Sequence, residues 1–424
     1  MAAMKDKHGR PVVVVTGMGV VTSLGKGKDE NWAKLTAGES GIHTITRFPI
    51  EGLRTTIAGT VDFVPFENAP DLTTKMAALA GEEAVNEAKI GEAGAFPGPL
   101  FLGMPPVELE WPQRQDLAQA SGKTADITYT DILKGAAAKD FSAMQTRFLF
   151  GSVGDQLADR FGTKGAPISI STACATGATA IQLAVEAIRR GETEAALVIG
   201  ADGSANQESL ARFSLLSALS TRNDDPKAAA RPFAKDREGF VMAEGAGALV
   251  LESYEHATAR GATILGVVEG CGEMADSFHR TRSSPDGAPI IGCIRNALED
   301  AGVTPADVQY VNAHGTSTPE NDKMEYVGLS AVFGDHLANI AVSSNKSMIG
   351  HTLSAAGAIE AVFTLMTIRN GVIPPTINQT EADPTIKLDL VPNVARKAQV
   401  TRAISNSFGF GGQNVCLVLA AEPV

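Results

Sequence analysis

Val12–Val15 is a β-branched run that predicts a buried strand, broken at Thr16-Gly17-Met18-Gly19. A helix is predicted over Asp29–Leu35, stopped at Gly38, and an Ala-rich amphipathic helix over Met76–Lys89. Residues 95–130 carry Pro-Pro and Gly-Pro steps and hold no sustained period, so they predict a long excursion with short helices at most. Order returns with a helix at Ala143–Phe161, a strand at Pro167–Ser171, a helix over Ala175–Arg190 and a strand at Ala195–Ile199.

The second half repeats the theme. Val14-Val15-Thr16-Gly17-Met18-Gly19 and Val267-Val268-Glu269-Gly270-Cys271-Gly272 share the pattern V-V-x-G-x-G. Gly177–Gly191 aligns without gaps to Gly357–Gly371, with Gly177/Gly357, Ala178/Ala358, Ile188/Ile368, Arg189/Arg369 and Gly191/Gly371 identical. The shared order of these matches implies an internal duplication. Strands alternating with helices in each half make the expected fold α/β, two similar halves with mixed sheets covered by helices.

At 424 residues with 44% hydrophobic and 20% charged positions, the chain can bury a large core and is not disordered. A net charge of −12 argues against a general nucleic-acid binder. The cysteines Cys174, Cys271, Cys293 and Cys416 are scattered, which excludes a zinc knuckle or a disulfide framework. No apolar run approaches the roughly 20 residues of a membrane span, and the N-terminus lacks a signal-like core. The expectation is a soluble cytoplasmic protein with reduced thiols.

Nucleotide motifs fail. Gly17-Met18-Gly19 is followed by Thr22 where a dinucleotide fingerprint needs glycine, and Ser121-Gly122-Lys123-Thr124 has Leu117 where a phosphate loop begins with glycine. Cys174 is the stronger signal. It lies in Ser171-Thr172-Ala173-Cys174-Ala175-Thr176-Gly177, between a predicted strand and a predicted helix. Free N–H groups there would lower a thiol pKa and could bind the oxygen of a tetrahedral intermediate; a small buried cysteine is the bland alternative. His314, in Val311-Asn312-Ala313-His314-Gly315-Thr316-Ser317-Thr318, lies where a strand end turns into a polar loop, and His351, in Ser343-Ser344-Asn345-Lys346-Ser347-Met348-Ile349-Gly350-His351, lies just before an Ala/Gly-rich helix; a loop or capping histidine is the bland alternative for each. Neither has a third ligand at metal-binding spacing, so no metal is expected. His8, His43, His256 and His336 read as surface residues, and His279 is open. Asn406-Ser407-Phe408-Gly409-Phe410-Gly411-Gly412-Gln413-Asn414 reads as a mobile aromatic loop or a plain hairpin.

Taken together, STACATGA around Cys174, NAHGTSTPEND around His314, SNKSMIGH around Lys346 and His351, and NSFGFGGQN resemble the elongating β-ketoacyl-acyl-carrier-protein synthases of the thiolase-like superfamily. LSTRNDDP, RPFAKDREGFVMAEGAGALVLE and the opening VVVTGMGVVTSLG carry the same resemblance, over residues 12–50 and from about 150 to the C-terminus. It implies a thiolase-like fold of two halves, 1–258 (with an excursion at 95–150) and 259–424, forming one ketosynthase domain and a homodimer. Cys174 would be the nucleophile, and His314 and His351 would donate to the malonyl thioester. Lys346 would support His351, with Glu320 or Glu325 in the same network. The N–H groups of Cys174 and Phe410 would form the oxyanion hole, the Phe410 ring would gate, and Phe408 and Gly409 would contact substrate. Thr316 and Thr318 would line the entrance for a phosphopantetheine arm. The partner would be acyl carrier protein, with no cofactor. The alternatives are a thiolase, which pairs its nucleophile with a second cysteine, and a silent chain-length-setting subunit, which lacks the nucleophile. Residues 95–150 lack the family's Gly-Ser-Gly-rich turn and Phe66–Thr73 lacks its basic cluster. These departures are similar to a branch making very-long-chain acyl groups for lipid A.

Overall fold

The computed structural model describes residues 4–422. One 12-stranded sheet runs through the molecule in the order β13 (Asp389–Leu390), β11 (Ala341–Ser343), β10 (Tyr310–Asn312), β15 (Arg402–Phe408), β16 (Gln413–Ala420), β9 (Gly266–Ala275), β1 (Val13–Thr22), β8 (Gly245–Ser253), β7 (Ala195–Asp202), β5 (Leu100–Gly103), β6 (Ile168–Ile170). The short β2 (Gly25–Lys26) pairs with β1, and two small ribbons stand apart: β3 (His43–Thr44) with β4 (Ile57–Ala58), and β12 (Val372–Ile373) with β14 (Arg396–Lys397). The two V-V-x-G-x-G strands meet at the centre, where β1 and β9 pair antiparallel through Val14 and Val267.

The glycines of that pattern have the same task in both halves. A Cβ on Gly17 or Gly19 would lie 2.0 Å from the carbonyl oxygens of Ala84 or Ala80, on helix α2 (Ala69–Ala88), which follows α1 (Lys28–Ala37). A Cβ on Gly272 would lie 2.2 Å from Cys293 O, on α10 (Ala288–Ala301). Each pair of glycines lets a covering helix lie close on its strand. Between the two half-sheets sit α7 (Thr176–Arg189) and α13 (Ala356–Asn370), each in contact with strands of both halves. They cross at their matched glycines: a Cβ on Gly177 would be 2.6 Å from Ala358 N, and one on Gly357 would be 2.5 Å from Ala178 N. Every residue of α13 from Ala356 to Ile368 is buried, as a helix enclosed on all sides requires. The duplication is therefore written in reciprocal packing.

The excursion differs from its expectation. Leu100–Gly103 is a fully buried strand paired parallel to both β6 and β7. A four-residue strand set between Pro99 and Pro105 is too short to show a period, so only sheet pairing reveals it. Beyond it, α3 (Trp111–Ala120) and α4 (Tyr129–Ala138) pack as a hairpin, with α4 started by a Thr128/Asp131 capping box. The predicted helix Ala143–Phe161 is two, α5 (Ser142–Arg147) and α6 (Phe150–Phe161), broken at Phe148-Leu149. The remaining helices are α8 (Gln207–Leu215), α9 (Tyr254–Ala259), α11 (Pro319–Phe333) and α12 (Lys346–Ile349). Among the described residues no helix is long and apolar enough to cross a membrane.

Candidate active site

β6 ends at Ile170, and the chain turns through Thr172-Ala173 into Cys174 just before α7. Ala173 takes φ 50, a left-handed conformation unusual for a residue with a Cβ. The turn is held by Thr176 Oγ1, which accepts the Thr172 N–H at 2.7 Å and donates to Ala173 O at 2.5 Å. These bonds place Cys174 at the tip, on the wall of two cavities.

β10 ends at Asn312 and delivers His314. The N–H groups of His314 and Gly315 donate to the two oxygens of Glu325, each at 2.8 Å, and Asn406 Nδ2 donates to the same carboxyl at 3.1 Å. Burial pushes Glu325 up to about 7 against these bonds. His351 follows α12 and Gly350 (φ 79), with its N–H on Val241 O at 2.7 Å. The two imidazoles stand edge to face at 5.3 Å between centroids, flanked by Phe240 against His351 and Phe408 against His314.

The Nδ1 partners decide the tautomers. Leu353 N–H donates to His351 Nδ1 at 3.2 Å, and Lys346 Nζ stands 3.4 Å from His314 Nδ1. With a donor on each Nδ1, each Nε2 carries the proton. Both rings are buried, and burial first, then the Lys346 charge, holds each well below the usual histidine pKa. The pair is thus neutral and presents two N–H donors. Ligand atoms of Cys174, His314 and His351 lie within 4.8 Å of one another. The fold supplies the third potential metal ligand that sequence spacing did not show. An Nε2 that bears a proton has no lone pair for a cation, so the cluster is built for hydrogen bonding.

Lys346 is buried and pairs with Glu360 of α13. Its charge acts on His351 through space, in line with the electrostatic support the resemblance implies, and its direct contact is with His314 Nδ1. Glu360 was missed, although it is the one charge in the apolar stretch Ala356–Ile368, a signal visible in the sequence. Of the two glutamates considered, Glu325 is the buried one, whereas Glu320 lines the first cavity's mouth. The thiol departs from expectation. Burial outweighs the Phe410 N–H and the Lys346 charge, so Cys174 is pushed up to about 11. The low-pKa reading from a helix N-terminus fails because desolvation of the thiolate is the larger effect.

The first cavity, of about 490 Å³, is lined by Cys174, both histidines, Thr316, Thr318, Phe408, Gly409 and Phe410, with His279 on its wall. Thr316 Oγ1 and Thr318 Oγ1 are 2.9 Å apart. The second, of about 530 Å³, runs from Cys174 and Phe410 along Met104–Glu110 and one face of α8. Phe410 borders both, on a loop whose Gly411 and Gly412 have φ 93 and 92. Cys174 is the one cysteine on either cavity; Cys271, Cys293 and Cys416 lie elsewhere. Of the histidines read as surface residues, His8 is exposed, while His43, His256 and His336 are half-buried and make local polar contacts.

Two duplicated α/β halves around a cysteine at a helix start, with two histidines beside it, define a thiolase-like acyl-transfer fold. The N-terminal β-ketoacyl synthase domain matches residues 10–84 and 117–257 and the C-terminal domain residues 265–380, and the chain belongs to that family. It is similar to 3-oxoacyl-[acyl-carrier-protein] synthase 2 of Coxiella burnetii, 38% identical over 96% of this chain and 98% of the relative, and to that of Rhizobium meliloti, 39% identical over 96% and 98%. Among solved structures, the type II polyketide ketosynthase AntDE in complex with its acyl-carrier protein AntF superposes with TM-score 0.86 at 33% identity, over 97% of this chain and all of that one. A β-ketoacyl synthase from Burkholderia phymatum gives 0.82 at 32% identity, with the same coverage.

Proposed function

We propose that this chain is a 3-oxoacyl-[acyl-carrier-protein] synthase that elongates acyl chains by decarboxylating condensation. The observation that carries the reading is the neutral pair of Nε2–H donors beside the one cavity-lining thiol. Cys174 Sγ attacks the carbonyl of an acyl-carrier thioester, the carrier thiol leaves with the proton, and the acyl chain lies in the second cavity. The N–H groups of Cys174 and Phe410 hold the oxyanion, and both already act to stabilise negative charge on the sulfur. A malonyl thioester then enters the first cavity past Thr316 and Thr318, with Phe408 and Gly409 against it.

His314 and His351 donate to its thioester carbonyl, the bond to the carboxylate breaks, and carbon dioxide leaves an enolate held by the two donors. The enolate carbon attacks acyl-Cys174, the C–S bond breaks, and the sulfur takes up a proton. The product is a 3-oxoacyl chain two carbons longer. No step calls for a cofactor. A thiolase would need a second cysteine on the cavity, and a silent subunit would lack Cys174. The working form in this reading is a cytoplasmic homodimer served by acyl carrier protein, with 1–258 and 259–424 as the halves of one catalytic body.

Chain length belongs to the second cavity. Its wall at Met104–Glu110 falls within residues 85–116, between the two segments that match the N-terminal family domain. In this reading the chain prefers acyl groups beyond about sixteen carbons on a dedicated carrier, and the apolar stretch Met104–Val107 with Leu109, Phe213 and Leu216 along the cavity from Cys174 supports a long tail. The test is mass spectrometry after incubation with acyl-carriers of graded length, followed by malonyl-carrier. Acylation at Cys174 and release of a two-carbon-longer 3-oxoacyl product are expected. Acylation of another cysteine, or none at any length, would sink the reading.

A further inference from the structure

One buried carboxylate beside the site takes no part in the condensation steps. Asp202 is the last residue of β7 and is fully buried. Its Oδ1 accepts the N–H and the hydroxyl of Ser204, at 3.0 and 2.5 Å, and its Oδ2 accepts the Ser354 N–H at 3.0 Å. These bonds work against burial, which pushes the carboxyl pKa up. A buried carboxylate is costly unless donors satisfy it, and here they come from two separate segments.

The Ser354 contact lies one residue from the imidazole partner. Leu353, whose N–H meets His351 Nδ1 at 3.2 Å, takes φ 46, a left-handed conformation unfavourable for a residue with a Cβ. The amides on either side of that strained Cα are both committed, Leu353 N–H to His351 and Ser354 N–H to Asp202. Leu353 can relax only if one of the two bonds breaks. Beyond Ser354 the chain enters α13 at Ala356, a helix enclosed on all sides, so a relaxing turn would give way at the Leu353 amide. The backbone of His351 is fixed independently: its N–H donates to Val241 O and its O accepts the Ala243 N–H. The turn after it is thus the adjustable part, and Asp202 is what pins it. The Asp202 charge also acts on Cys174, where it opposes ionisation of the thiol.

We propose that Asp202 is a positioning residue for the condensation: through the Ser354 amide it holds the strained Leu353 turn, which keeps a donor on His351 Nδ1 and the His351 proton on Nε2. This rests on the reading of Cys174 and the histidine pair as the condensing machinery. Asp202→Asn preserves the side chain's size, yet either orientation of the amide turns its NH₂ toward a backbone N–H, of Ser204 or of Ser354. Carbon dioxide release from malonyl-carrier should fall about 10- to 100-fold, the usual scale when a histidine loses its outer partner. Acylation of Cys174 should hold or rise, because the charge that opposes the thiolate is gone. Nitrogen NMR of histidine-labelled enzyme should show His351 with its proton on Nε2 in the wild type and a mixture of tautomers in the variant. Ser204→Ala, which removes one donor from the far oxygen and leaves the carboxylate in place, should show the same split at a smaller size. Equal loss of both rates, unchanged carbon dioxide release, or a single His351 tautomer throughout would overturn the role of Asp202 while leaving the condensing reaction intact. A wild type that releases no carbon dioxide would instead defeat the histidine pair, and this inference with it.

Discussion

Lys346 is the most informative position to perturb, because it has two separable partners. Its ammonium neutralises Glu360 inside the protein and stands on His314 Nδ1. Lys346→Met removes both contacts. Breaking a buried pair by deleting one partner costs about 3–5 kcal/mol, because the other charge remains stranded. Burial already raises Glu360 above the usual carboxylate pKa, so the variant can recover part of that by protonating it. The loss should therefore be larger at pH 8 than at pH 6. Lys346→Met with Glu360→Gln leaves no stranded charge and should regain most of the stability.

Activity should not return with it. Without a donor on Nδ1, His314 is no longer held with its proton on Nε2. The enolate then loses one of two donors, worth about 2.7–4 kcal/mol, or 10²- to 10³-fold in malonyl decarboxylation. Urea denaturation gives the first quantity and carbon dioxide release from malonyl-carrier the second. If the double variant recovers both, Lys346 is only a counter-ion for Glu360 and the tautomer argument fails.

Other expectations follow from the same geometry. Cys174→Ala should abolish acyl transfer while decarboxylation persists at a measurable rate, and stable acylation of Cys271, Cys293 or Cys416 in that variant would contradict the assignment. His351→Ala should slow decarboxylation by about 2.7–4 kcal/mol and acylation of Cys174 much less; the opposite split would reverse the roles. Because both histidine pKa values are depressed, the pair stays neutral as pH falls through 6.5, while its contribution to stability, complete above 6.5, is lost progressively from there down through the lower folded values, as the unfolded chain takes up protons first. The acidic limb of the decarboxylation profile should lie below pH 6.5, and a limb at or above it would show that the rings are not desolvated. Gly357→Ala should cost about 1–3 kcal/mol in chemical denaturation, since its Cβ would meet Ala178 N at 2.5 Å with backbone on both sides; a neutral result would mean the helices can separate freely.

The sequence by itself determined the long periodic elements and the cysteine and two histidines that bear the chemistry. The β-branched run at Val13–Val15 and the apolar period of α7 report local burial, and periodicity reads local burial directly. The repeated V-V-x-G-x-G strands and the Gly177/Gly357 helices exposed the duplication, because close packing of a helix on a strand or a helix leaves glycine at fixed places. Tertiary structure alone decided the rest. Leu100–Gly103 becomes a strand only through pairing with β6 and β7, and four residues carry no period of their own. His314 and His351 become a donor pair only because Lys346, at the start of α12, and the Leu353 amide occupy their Nδ1 atoms. The Cys174 thiol lies high because the whole fold removes its water, an effect that no neighbouring residue in the chain encodes.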